Sequence, residues 1–165
     1  MGLLENRTFD EIALGDRAAI TRILRREDIQ MFAAVSGDVN PAHLDDEYAA
    51  TDIFHHIVGH GMWGGALISA LLGTALPGPG TIYLSQTLSF RRPVAVGDTV
   101  RAEVVVREKH ADKAHVILDC SVTNQDDKLV IEGEAVVIAP REKFSRPAPQ
   151  LPAWQLVDGA LPNMT

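Results

Sequence analysis

Asp38 and His43 stand five residues apart in Ser36-Gly37-Asp38-Val39-Asn40-Pro41-Ala42-His43-Leu44-Asp45, a run that crosses a turn just past a short helix. A carboxylate and an imidazole held on one loop can share a water molecule, one taking its proton while the other gives one back. Seventeen residues on, His60-Gly61-Met62 opens a long apolar stretch without a formal charge. A glycine amide at a helix start is a ready donor to a developing oxyanion, since the dipole there favours negative charge. Water activation plus oxyanion stabilisation is what addition of water to an activated double bond requires. Each residue also has an ordinary reading. Asp38 would serve as a helix-stop residue, Asn40-Pro41 as a turn, and Gly61 as room for tight helix–sheet packing.

Elements must hold these groups in place. Arg17 to Leu24 alternates loosely and reads as a strand. Glu27 to Val35 has Ile29, Phe32 and Ala33 at helical spacing, with Gly37 where a helix stops. Asp45 reads as the N-cap of a second short helix. His60 to Ala75 is apolar on all sides, so it must be buried, and Leu76-Pro77-Gly78-Pro79-Gly80 ends it. The period then changes to two. Ile82, Leu84, Leu88 and Phe90 fall on one face, as do Val100, Ala102, Val104 and Val106, then Val116, Leu118, Cys120 and Val122. Leu129, Ile131, Ala135 and Val137 follow less strictly. Four consecutive strands make an antiparallel sheet with one face needing cover, and only the central helix is apolar enough to provide it. The fold class expected is α+β, a long curved antiparallel sheet wrapped around one buried helix. Residues 1–139 form this unit. From Pro140 the composition turns proline-rich, and 140–165 reads as an extended tail or linker.

Composition narrows the function. The formal charge of −7 argues against a nucleic-acid binder, although Arg91-Arg92 could hold phosphates locally. Cys120 is the only cysteine, which leaves no disulfide within the chain and no thiolate metal site. His56 and His60 are four apart, but no glutamate lies between them and Gly59 weakens a helix there, so no metal is expected. The uncharged stretch 57–76 has the length of a membrane span. Its five glycines, its His60 and its lack of a basic flank favour a buried helix instead. No signal-like run opens the chain, and Asn6 occupies the place where a myristoylation signal wants Ser or Thr. The cytoplasm is the default. Asn6-Arg7-Thr8 and Asn163-Met164-Thr165 then match the glycosylation triplet by chance.

Phe32-Ala33-Ala34-Val35-Ser36-Gly37-Asp38-Val39-Asn40-Pro41-Ala42-His43 resembles the signature of the MaoC-like family of (R)-specific enoyl-CoA hydratases. The likeness continues through Gly59-His60-Gly61-Met62, Leu76 to Leu84 and Leu88-Ser89-Phe90-Arg91-Arg92-Pro93-Val94. It is closest to the hydratase half of two-part bacterial proteins whose other half is a phosphate acetyltransferase. The resemblance implies the hot-dog fold, a homodimer, and an enoyl-CoA thioester bound at the subunit interface with no further cofactor. Residue by residue, Asp38 and His43 match the family's catalytic pair, Gly61 the amide on the thioester oxygen, and Ser69 a serine lining the site. In such a fold Trp63, Leu67 and Ser69 become candidates for the acyl pocket wall, and Arg91 and Arg92 for the CoA phosphates. Two other functions fit the same features: an acyl-CoA thioesterase on this fold, and a non-catalytic acyl-CoA-binding module. Retention of both Asp38 and His43 weighs against the latter.

Overall fold

The computed structural model describes residues 2–151 and 153 of the chain. Its elements run β1 (Leu3–Glu5), a 3-10 turn (Phe9–Glu11), β2 (Arg17–Ile23), α1 (Arg26–Ser36), α2 (Pro41–Leu44), α3 (Asp46–Thr51), α4 (Gly61–Thr74), β3 (Ile82–Phe90), β4 (Thr99–His110), β5 (His115–Asn124), β6 (Leu129–Ile138) and β7 (Ser145–Pro147). Five strands form one antiparallel sheet in the order β2-β4-β5-β6-β3, and β1 pairs with β7 separately.

The period-two residues meet across the ladder. Ala102 pairs with Val122, Val104 with Cys120 and Val106 with Leu118; Leu118 in turn opposes Ala135, and Val116 opposes Val137. All of these are buried, and Ile68, Leu71 and Leu72 of α4 belong to the same core. Burial also pushes the Cys120 thiol up to about 11, which makes it inert core. The opposite face of the sheet is charged, with Arg107 bonded to both Asp119 and Glu134. An apolar inner face and a charged outer one set which side α4 must cover.

Of three register shifts in the sheet, two account for the irregular patterns of β6 and β3. Between the Val122–Ile131 and Thr123–Leu129 pairs β6 holds one extra residue, so Val130 and Ile131 are both buried. In β3 the register shifts between Tyr83 and Ser85, leaving Leu84 as the extra residue. That shift corrects the expected single face. Ile82 opposes Ile138, whereas Leu88 and Phe90 oppose Gly133 and Ile131 on the other side. Ile82 and Leu84 are 57% and 45% exposed on this edge strand.

The segment after residue 139 is tied back to the N-terminus. Leu3, Leu4 and Glu5 pair with Pro147, Arg146 and Ser145. Asn6, 2% exposed, fastens the junction: its Nδ2 donates to the carbonyls of Pro79 (3.0 Å) and Glu142 (2.9 Å), and its Oδ1 accepts from the Phe144 amide at 2.9 Å. An Nδ2 committed twice in the interior cannot carry a glycan. Asn163 and half of the expected tail lie outside the described residues. Among the described residues no helix is long and apolar enough to cross a membrane.

Replacing Asn6 by Ala strands one amide and two carbonyls, so Asn6→Ala is expected to lose about 2–3 kcal/mol in urea unfolding. A loss below about 0.5 kcal/mol would mean that water replaces the side chain at no cost.

Candidate functional site

The loop between α1 and α4 is built almost wholly from local hydrogen bonds. Gly37 caps α1 at φ +77°, its amide bonded to the Ala33 carbonyl at 2.8 Å. Ser36 Oγ donates back to the Phe32 carbonyl and accepts the Asp38 amide at 3.1 Å. Asp38 Oδ1 accepts the Asn40 amide at 3.2 Å, which turns the chain and orients the carboxylate. Asn40 then caps α2 through its own Oδ1, with Pro41 opening the helix. This single turn, which the sequence reading left as a plain turn, is what carries His43 round to Asp38.

The returning strand-like segment fixes the imidazole. Gly59 donates to the Val94 carbonyl at 2.8 Å, and Val58 bridges to Ala95. The Val58 carbonyl lies 2.8 Å from His43 Nδ1. A carbonyl oxygen only accepts, so Nδ1 carries the proton and the neutral ring leaves a bare lone pair on Nε2. His60, the next residue but one, lies 2.9 Å through Nε2 from the backbone oxygen of Asp38. By the same logic that nitrogen is the donor, and His60 Nδ1 is buried with no partner among the described residues. The rings of His43 and His60 stack at 3.9 Å, and Phe32 lies 5.0 Å from His60 on its own contact. One donor atom from each of Asp38, His43 and His60 lies within 4.8 Å of the other two. That is the reach of a single shared water, and such a set of donors would equally admit an ion.

Gly61 begins α4 immediately after His60, so its amide is among those a helix leaves without an internal acceptor. A Cβ on Gly61 would come within 2.9 Å of the Phe90 ring, which is itself 51% exposed. The cavity of about 370 Å³ beside it is walled by His43, His60, Gly61, Trp63, Phe90, Arg91 and Arg92, with aliphatic residues of the sheet behind them. Asp38 is exposed and does not line it. Of the other sequence candidates, Leu67 is buried in the core and Ser69 sits on the exposed side of α4; neither lines this cavity. The cause is helical phase. Met62, Ala66, Ser69 and Gly73 share the stripe facing away from the sheet. Arg91 is matched by Glu132 at 2.6 Å, whereas Arg92 bonds the Leu129 carbonyl at 2.6 Å and has no carboxylate partner among the described residues. His55 and His56 are exposed and stand apart from the cluster, so the histidine pair weighed for metal is not the one the fold brings together.

The curved antiparallel sheet around a central helix defines the hot-dog class, and solved structures share it. An R-hydratase from Pseudomonas aeruginosa superposes with a TM-score of 0.90 at 47% identity, over 94% of this chain and 99% of that one. Residues 11–125 match the MaoC like domain, and the chain belongs to that family. Curated relatives include an (R)-specific enoyl-CoA hydratase of Rhodospirillum rubrum, 44% identical over 80% of this chain and 91% of its own length. Another is a 3-hydroxybutyryl-CoA dehydratase of Methylorubrum extorquens, 40% identical over 84% and 88% respectively.

His60 provides a pH signature. Burial lowers its affinity for a proton below the ordinary value of 6.5; the hydrogen bond to Asp38 opposes that shift, and His43 adds to it. Its folded pKa is therefore depressed, so its contribution to stability is complete above about 6.5 and is lost as pH falls through the folded value. Wild-type protein is expected to lose more stability than His60→Phe between about pH 7 and pH 5 in urea titrations. Parallel curves would show that His60 titrates alike in both states.

Proposed function

We propose that the protein adds water reversibly to trans-2-enoyl-CoA, giving (R)-3-hydroxyacyl-CoA, with Asp38 and His43 activating the water and the Gly61 amide meeting the thioester oxygen. The observation that carries this reading is a ring nitrogen of His43 within 4.8 Å of an Asp38 carboxylate oxygen, with Nδ1 bonded to the Val58 carbonyl, next to the start of α4. With Nδ1–H committed to Val58, His43 accepts one hydrogen of the water and Asp38 the other, which leaves the water oxygen's lone pair for C3. Attack there moves charge onto the thioester oxygen, where an N-terminal helix amide offers a hydrogen bond and a favourable dipole. The proton taken from water returns to C2, so no net proton is gained or lost. Coenzyme A enters only as part of the substrate.

A second copy of the chain completes the proposal. β3 ends the sheet with Ile82, Tyr83 and Leu84 exposed, and α4 shows an outward stripe beginning at Met62. An open nine-residue edge of this kind invites pairing unless covered. We assign that face to a homodimer; it would give Ser69 a partner surface. Sedimentation at micromolar concentration should return twice the 17.9 kDa chain mass, and a single chain mass would remove the assignment.

Trp63 in the cavity wall favours short acyl groups, in keeping with the four-carbon substrate named for the Methylorubrum relative. Crotonyl-CoA should be hydrated with kcat/KM about tenfold above eight- to twelve-carbon enoyl thioesters, since each methylene that finds no room loses its share of binding. Chiral analysis should return the (R) product alone. Release of free CoA without loss of the enoyl absorbance would instead support the thioesterase reading.

A further inference from the structure

We infer that His60 is a positioning residue for this reaction: its Nε2–H grips the Asp38 backbone while its ring seats His43, which locks the water-activating pair to the helix end that begins at Gly61. The inference rests on the assignment of Asp38 and His43 as that pair. Four observations meet at this one side chain. His60 is 4% exposed, its Nε2 is 2.9 Å from the Asp38 carbonyl, its ring is 3.9 Å from that of His43, and the next residue is Gly61. The peptide bond to Gly61 matters most. It makes the distance between the base loop and the oxyanion donor a matter of one residue's geometry rather than of two independent elements.

The unpartnered Nδ1 argues that the ring is there for its donor. A buried acceptor with nothing to accept from is a standing cost that a phenylalanine or leucine would avoid. Shape alone does not explain it, because Phe32 already supplies apolar packing at 5.0 Å. What an apolar residue cannot supply is the N–H aimed at Asp38. Without it the Asp38 carbonyl loses a partner, and the turn that carries the carboxylate keeps only its local bonds to Ser36 and Asn40. Misplacement of a catalytic group by about 1 Å can cost about 10²-fold in rate, so a tether of this kind acts on turnover more than on binding.

Two variants separate the donor from the ring. His60→Phe keeps the stack and removes the N–H; His60→Gln removes the ring but can present an amide N–H near the former Nε2. With crotonyl-CoA, His60→Phe should lower kcat by about 10- to 10²-fold with KM within about twofold, and His60→Gln should recover most of that loss. The inference is overturned if His60→Phe turns over within about twofold of wild type, if KM rises in step with the fall in kcat, or if His60→Gln is no better than His60→Phe. Should His60→Phe not fold, nitrogen NMR of the wild-type protein decides. The Nε2–H tautomer supports the grip on Asp38, and the Nδ1–H tautomer ends it. Asp38→Asn and His43→Ala, run alongside, keep the two claims apart. If these are inactive while the His60 variants are normal, only the inference fails. If they are fully active, the water-activation reading fails and takes the clamp with it.

Discussion

The hydrogen bond between His43 Nδ1 and the Val58 carbonyl settles more of this protein's chemistry than any other contact. It fixes the ring's tautomer, and leaves Nε2 as the nitrogen free to accept. Because a peptide carbonyl only accepts, the sheet-edge segment that holds Val58 becomes part of the site. The Gly59–Val94 bond and the Val58–Ala95 bridge keep that carbonyl in place. Remove that backing and His43 could turn either nitrogen toward Asp38. The site thus depends on main chain at Val94 and Ala95, residues that carry no reactive side chain.

The same economy runs through α4. A fourteen-residue uncharged helix has to lie close to a sheet that curves around it, and glycine lets it do so. A Cβ on Gly64 would sit 2.4 Å from Ile131 Cδ1, and one on Gly61 would press on Phe90. Close approach brings the helix start into the wall of the cavity that His43 also lines. The packing reading of Gly61 weighed from sequence is realised in its contact with Phe90, and the oxyanion role stands as part of the proposed chemistry.

Much of this was legible in the sequence because the signals were strong and local. Alternation in Val100 to Val106 and Val116 to Val122 predicted strands that pair residue for residue, and the apolar 60–75 stretch predicted the central helix, which is buried on its sheet side and exposed along Met62, Ala66, Ser69 and Gly73. Asp45 capped the helix expected of it. What was not legible had non-local causes. The bulge at Leu84 reverses a face without changing composition, so an apparently continuous apolar stripe in β3 splits in two. Ser69 follows from likeness, yet helical phase turns it away from the cavity, onto the exposed side of α4. From sequence His60 belongs to the His60-Gly61-Met62 motif and stands four residues from His56, with nothing to tie it to Asp38 or His43. Its contacts run back to Asp38 and His43, twenty-two and seventeen residues earlier, and no periodic pattern reports a distance of that kind.

Whether Asp38 and His43 act on one water is decided by a double-mutant cycle on crotonyl-CoA hydration in the folded protein. Each of Asp38→Asn and His43→Ala should lose on the order of 10²-fold or more in kcat. The double variant should be within about fivefold of the slower single one, since groups that share one molecule fail together. Losses that multiply across the cycle, or wild-type turnover in either single variant, would contradict the shared water.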